Sequence, residues 1–493
     1  MTQRFLVVLG LAALSAPAVA RAQVIDRTTP PVLAPPPSLQ LPDIATATLP
    51  NGLTLYVVEM REVPVVQFAL AVAGGGREDH AVPGLASFAA DMLDEGADTL
   101  DAFGIAALAE YYGAALRTSA SWDEIRVSLK VPRRNLDSAL ALMAIVALRP
   151  TFRSTEVARQ RDLRLAKILQ ERDQPETVAS LAFNAIVFPE GHPYHASLTG
   201  DSVSTAGLDS TSVREFYRRV FCPNGAKLVV TGDMTVAEAT QAAQAHFGAW
   251  QSCHTSVGHE TGPLPYDLAS PVNLTIAQTQ VYLIDKPGAA QSVIRLGGPG
   301  ISRHHKDYIA IEVMNTILGG SFSSRLNSNL RETKGYTYGA RSWFSYRPMP
   351  GPFTAGASVR TDVTDSSLVE FFREIRAIRD TPVSPTELER AKAYLALGLA
   401  GDFETTSQMA GKVAELLTFG LPLTYYNDYV QRVMAVTAED VQRVARDHLR
   451  PDNVAIVAVG DLARIRDEVE ALSMGPSSVR DLYGQPVSSD SRP

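Results

Sequence analysis

Two pairs of residues in this chain have types and spacing that could do chemistry. Arg331 and Tyr338, seven positions apart, offer a guanidinium fork and a phenolic hydroxyl, donors able to polarise a carbonyl and stabilise an oxyanion. Their spacing alone favours a structural reading, with Arg331 capping or pairing on its own helix and Tyr338 half-buried in a strand. Ser87 and Asp91 stand one helical turn apart; at most they bind a cation weakly through oxygen, and a solvated helix face accounts for them as well. The nine histidines are His80, His192, His195, His246, His254, His259, His304, His305 and His448, and none forms H-x-x-E-H in either direction. His192-x-x-His195 comes nearest to metal spacing, but Pro193 favours an extended loop whose rings need not converge, so a structural role is expected there. Cys222 and Cys253 are the only cysteines, and either pair in an oxidising compartment or remain buried thiols.

The elements that must position these groups belong to a globular chain. Its 493 residues, 45% hydrophobic and 20% charged, leave room for several domains and exclude fibrous, collagen-like and disordered classes. A formal net charge of -8 gives no electrostatic reason to expect nucleic acid or an anionic membrane as partner. Residues 1–22 read as a secretory signal: Arg4, an apolar stretch from Phe5 to Leu14, then small residues up to Ala20 and Ala22, with cleavage expected before Gln23. The residue directly after that point is Gln23 rather than Cys and no later run is apolar enough to span a bilayer, so a periplasmic or secreted protein without a membrane span or lipid anchor is expected. Residues 23–43 are a Pro-rich linker, and structure should begin near Ile44.

Leu49-Pro50-Asn51-Gly52-Leu53 is a turn before two strands, Thr54–Val58 and Val65–Val72, expected to form a hairpin. Leu85, Phe88, Ala89, Met92 and Leu93 then recur with the spacing of a helix packed on one face, placed at 84–97. Later helices fall at 101–113, 134–147, 154–172, 176–187, 211–221 and 236–248, and from 306 onward at 306–318, 322–332, 366–379, 385–401, 405–418, 424–434 and 438–449. Pro223-Asn-Gly-Ala-Lys-Leu-Val-Val-Thr-Gly-Asp233 reappears in form as Pro451-Asp-Asn-Val-Ala-Ile-Val-Ala-Val-Gly-Asp461, 228 residues on. In each copy a helix entered through N-cap side chains, Asp209–Ser212 or Thr437–Asp440, runs into a buried strand ending at Gly-Asp. This spacing implies an α+β protein of two homologous halves, 44–251 and 278–473, joined by residues 252–277 and followed by a polar tail, 474–493.

Leu49–Leu53, the strand to Gly76, Pro83-Gly84-Leu85-Ala86-Ser87-Phe88-Ala89-Ala90-Asp91-Met92, His192-Pro193-Tyr194 and Gly232-Asp233 together resemble the insulinase, pitrilysin and mitochondrial-processing-peptidase family of zinc peptidases (inverzincins). The resemblance covers roughly residues 45–473 and implies that family's metallohydrolase fold, with two halves forming a clam-shaped chamber. The family pattern at 84–92 is Gly-Leu-Ala-His-x-x-Glu-His-Met, in which two His one turn apart hold Zn²⁺ and the Glu takes a proton from the metal-bound water. Here Ser87, Ala90 and Asp91 stand at those three positions. The segment Gln160–Lys167 resembles that of the family's third ligand and puts Lys167 there, with Glu171 one turn on as the alternative counterpart. The zinc site is therefore expected to be degenerate, with no metal or cofactor bound by this chain.

Gly319–Gly339, by contrast, closely resembles the family's glycine-rich turn and its Arg-x-x-x-x-x-x-Tyr motif, with Arg331 and Tyr338 as the pair that binds substrate backbone and supports the oxyanion. The resemblance implies the non-zinc subunit of an exported heterodimeric peptidase acting on peptides or unfolded segments. It would be inactive alone, its partner being a homologous zinc-bearing subunit with an intact H-x-x-E-H. A peptide-binding or scaffold pseudopeptidase without a catalytic partner is the alternative.

Overall fold

The computed structural model describes residues 41–79, 81–252 and 274–487, all within one compact unit, Ser38–Pro493. Expectations about the signal segment, His80, Cys253, His254, His259 and most of the join fall outside the described residues. Cys222 is buried and disulfide-bonded.

The first half contributes β1 (Ala45–Thr48), β2 (Thr54–Glu59), β3 (Val65–Ala73), a two-strand ribbon β4 (Gly96–Ala97) and β5 (Leu100–Asp101), β6 (Ala115–Ala120), β7 (Glu124–Pro132) and β8 (Lys227–Gly232). Its helices are α1 (Leu85–Asp91), α2 (Ala102–Tyr111), α3 (Leu136–Leu148), α4 (Ser154–Glu171), α5 (Pro175–Val187), α6 (Ser202–Ala206), α7 (Ser210–Val220) and α8 (Val236–Phe247). The second half contributes β9 (Gln280–Asp285), β10 (Gln291–Pro299), β11 (Thr337–Phe344), β12 (Pro352–Arg360), β13 (Ala455–Gly460) and β14 (Ser477–Arg480). Its helices are α9 (Tyr308–Asn315), α10 (Arg325–Asn327), α11 (Thr364–Asp380), α12 (Pro385–Gly401), α13 (Thr406–Thr418), α14 (Tyr429–Ala435), α15 (Ala438–His448) and α16 (Leu462–Ala471). α9 and α10 run on through wider π-helical turns, Thr316–Gly320 and Ser328–Thr333.

Two six-stranded sheets result, in the orders β1-β2-β8-β3-β7-β6 and β14-β9-β13-β10-β12-β11. β8 runs parallel to β2 and antiparallel to β3, and β13 runs parallel to β9 and antiparallel to β10. α7 and α15, each opened by a capping box at Asp209 or Thr437, lead into these strands at the same spacing.

The expected hairpin of 54–58 with 65–72 does not form. β8 lies between them, and the Asn51-Gly52 turn instead joins β1 to β2, with Ala45 opposite Val57 and Thr48 opposite Thr54. The physical reason is burial: a strand as apolar as β8 is stable only with both edges paired and both faces covered. α1 also stops at Asp91, short of the expected 97, because the chain turns there into the β4–β5 ribbon. The polar segment after 473 is more than a tail. Backbone pairing to β9 needs no apolar alternation, and Ser477–Arg480 adds an edge strand parallel to it.

The unbroken apolar runs of the central strands follow from an exchange of helices. Leu228 and Val230 of β8 face the core of the first half, whereas Val229, with Val58 and Ala69, packs on Met409, Ala410, Val413 and Ala414 of α13 from the second half. Reciprocally, Ile456 and Ala458 of β13 face their own core, while Ala455, Val457 and Val459 pack on Val178, Ala179, Ala182 and Phe183 of α5. Alternate side chains thus serve two different layers. Polar ties fix α13 in place: Thr231 Oγ1 donates to Thr406 O at 2.7 Å, and Lys227 Nζ to Leu417 O at 2.6 Å, in the last turn of the helix, where a cation also suits the helix dipole.

Candidate functional site

Gly84 opens α1 with φ +89°, and a Cβ there would lie 2.6 Å from Thr199 O, so only glycine fits both the conformation and the contact. The Asp79 carboxylate accepts from the N–H groups of Gly84 and Ala86 at 2.7 and 2.6 Å, capping the helix that carries the degenerate motif. Burial pushes its pKa up to about 7, against those two donors and the nearby Arg164.

On the face of α1 that the zinc ligands would occupy stands a guanidinium. Arg164 of α4 is 8% exposed, and its Nη1 donates to Ser87 Oγ at 2.9 Å and to Gly84 O at 3.1 Å. Its Nη2 donates to Asp91 Oδ2 at 2.5 Å, and its plane covers the Phe88 ring at 4.9 Å. Arg164 therefore bridges the two residues at the expected imidazole positions and supplies a fixed positive charge there. Ala90, at the general-base position, is fully buried. Lys167 points outward, 67% exposed, with its Nζ 3.9 Å from Glu171 Oε1. A cavity of about 160 Å³ lies here between Phe88, Asp91, Arg164, Lys167, Glu171 and Thr199. These residues do not fit a zinc ion. A hydroxyl and one carboxylate replace two imidazoles, and a guanidinium already bonded to both of them repels a cation. No metal-dependent step is available at this site.

Arg164 lies inside the segment that the sequence singles out for Lys167, one turn earlier on the same helix. Its spacing to Lys167 was the available signal. What the sequence lacks is the 73-residue separation from Asp91 closing into contact.

Arg331 and Tyr338 stand on the second half. The Gly319-Gly320 turn lies against β11 so closely that a Cβ on Gly319 would be 2.3 Å from Ser342 N. Behind it, Gly335 N donates to Arg331 O and Tyr336 N to Leu330 O, at 3.1 and 2.8 Å, tying the end of the helical segment to the start of β11. The Arg331 guanidinium lies 4.6 Å over the Phe322 ring, and its Nε is 3.4 Å from Glu332 Oε1. Tyr338 sits on the outermost strand of its sheet, where the register with β12 slips between Thr337 and Ala340. Such an irregularity re-aims side chains, and Tyr338 is 90% exposed, with no hydrogen bond from its hydroxyl among the described residues. Tyr338 is thus not half-buried, and Arg331 keeps donors free toward solvent.

His192 and His195 have a structural place. His192 is buried, its Nδ1 accepts the Tyr194 N–H at 3.0 Å, and its ring stacks on Phe188 at 4.7 Å. Burial lowers its pKa to about 4. His195 Nδ1 pairs with Phe188 O at 2.8 Å, so the two rings anchor a turn.

Comparisons with known proteins find relatives over most of the chain. The "Non-peptidase homolog YmxG" of Helicobacter pylori is 22% identical over 429 residues, covering 83% of this chain and 95% of that protein. The "Zinc protease PqqE" of the same organism is 22% identical over 417 residues, covering 83% and 91%. A crystal structure of a peptidase M16 inactive domain from Pseudomonas fluorescens superposes with a TM-score of 0.76 at 26% identity, covering 85% of this chain and 98% of that one. Residues 56–200 match the family model described as insulinase (peptidase family M16), and residues 207–395 match that of the peptidase M16 inactive domain. The chain belongs to the insulinase family of peptidases, family M16.

Proposed function

We propose that this chain is the non-zinc subunit of an exported heterodimeric zinc peptidase acting on peptides or unfolded segments, and that it is inactive alone. The observation that carries the reading is Arg164, which occupies the face of α1 where the metal would be held. A chain that has replaced its metal by its own cation, yet presents Arg331 and Tyr338 to solvent, has lost one half of a catalytic centre and kept the other. In the complex, Arg331 donates to the substrate backbone and Tyr338 to the developing oxyanion, while the partner supplies Zn²⁺ and the general base. That Helicobacter pylori holds both a zinc protease and a non-peptidase homolog among this chain's relatives supports such a pairing. The matched order of five strands, β2-β8-β3-β7-β6 and β9-β13-β10-β12-β11, supports two homologous halves, 44–251 and 278–473. Residues 1–22 would direct export.

Co-expression with an exported homologue carrying H-x-x-E-H tests the pairing. A stable complex that cleaves an unfolded peptide, when this chain alone does not, is the expected result. Peptide binding without activity in any such complex would favour the scaffold reading.

A further inference from the structure

We infer that His305, Asp307 and His448 form a binding site for a divalent transition-metal ion of the zinc type, in the half opposite the dismantled site. The sequence shows no metal spacing here, because Asp307 and His448 are 141 positions apart. The fold brings them together: the turn before α9 holds His305 and Asp307, α15 ends at His448, and the two helices pack side by side.

One ligand atom from each of the three residues lies within 4.8 Å of the others. Asp307 Oδ2 is 3.4 Å from His448 Nε2 and 3.9 Å from His305 Nδ1. Hydrogen bonding does not account for the second separation, which exceeds any such bond. The first is near the edge of a tetrahedron about 3.3 Å long, the spacing that metal–ligand bonds of ~2.0–2.1 Å impose, and the second must shorten to reach it. The two imidazole rings are in contact edge to face, at 87° with centroids 4.9 Å apart. Arg443 Nη2 holds Asp307 Oδ1 at 2.9 Å and so fixes the carboxylate through its other oxygen, and unlike Arg164 it has Asp440 and Asp447 each 3.7 Å from its guanidinium to offset its charge. Binding exchanges the 3.2 Å contact of His305 Nδ1 with the Asp307 N–H for a metal bond. A cavity of about 130 Å³ reaches His448, between Pro299, Phe353, Asp447 and Asn453. Two imidazoles and one carboxylate suit Zn²⁺, Co²⁺ or Ni²⁺ and disfavour Ca²⁺ and Mg²⁺.

The test titrates the full chain, stripped with chelator, with Zn²⁺ by calorimetry and with Co²⁺ by visible absorption. One equivalent should bind, with the intense visible bands of four-coordinate Co²⁺. His305→Gln and His448→Gln should each weaken binding at least 10-fold, while His304→Gln on the neighbouring exposed residue leaves it unchanged. Circular dichroism verifies the fold of each variant; should His448→Gln unfold, the half-exposed His305→Gln decides alone. Absence of binding up to millimolar Zn²⁺, or binding that survives His305→Gln, would overturn the assignment.

Discussion

Arg164 Nη2 lies 2.5 Å from Asp91 Oδ2, and the same guanidinium reaches Ser87 Oγ at 2.9 Å. One arginine thus joins the two helix positions at which the family's peptidases carry imidazoles. The positive charge that faces α1 at these positions therefore comes from α4.

Arg164→Met should accordingly destabilise the chain. It removes the charged hydrogen bonds to buried Ser87 Oγ and to Asp91, while the Gly84 carbonyl keeps the Phe88 N–H, at a cost of roughly 1–3 kcal/mol. Urea unfolding reads this directly, and a change under about 0.5 kcal/mol, the size of a neutral surface substitution, would mean the guanidinium is not structural.

Restoring the imidazoles should not restore zinc while Arg164 remains. In a His305→Gln, His448→Gln background, which removes the other candidate ligands, Ser87→His with Asp91→His should bind no measurable Zn²⁺. Adding Arg164→Ala should then allow weak binding, still without a third protein ligand. Equal affinity with and without Arg164 would show that the guanidinium does not block the site.

Asp79 gives a pH signature. Its folded-state pKa of about 7 lies above the ordinary 3.8, so the folded chain holds the proton more tightly than the unfolded chain between those values. Its contribution is therefore fully present below about pH 4, declines with a slope of up to about 1.4 kcal/mol per pH unit, and is lost above about pH 7. Asp79→Asn should flatten this part of the stability profile. An unchanged slope between pH 4 and 7 would place the titration elsewhere.

The helix exchange predicts a single unfolding transition for both halves. Phe183→Ala, on the first-half helix that covers the second-half sheet, should cost about 3–5 kcal/mol and lower that one transition. Two separate transitions, only one of them shifted, would contradict the exchange as the source of cooperativity.

What the sequence makes legible here is local. Capping boxes, 3.6-residue periodicity and Gly-Asp terminators place most helices and the strands at 227–232 and 455–460 close to their observed bounds, because those signals act within one turn or one strand. The contact face that Ser87 and Asp91 offer to Arg164 is half legible, since those two residues lie within a single short motif. The misread features depend on distant chain. Nothing near Val58 or Val65 announces that β8, some 160 residues later, will part them. Nor does α5 carry a sign that its apolar face belongs to the other half's sheet, because an amphipathic helix records how much it buries and not against what. The His305–Asp307–His448 cluster escapes for the same reason.

Peptidase turnover of the complex reconstituted with a zinc-bearing partner, carrying Arg331→Ala or Tyr338→Phe in this chain, tests the central claim most directly. Removing one positioned oxyanion donor should lower kcat on the order of 10²–10³-fold while assembly persists, and Arg341→Ala on the same strand should leave turnover unchanged. Full activity in both the Arg331→Ala and Tyr338→Phe complexes would contradict the account.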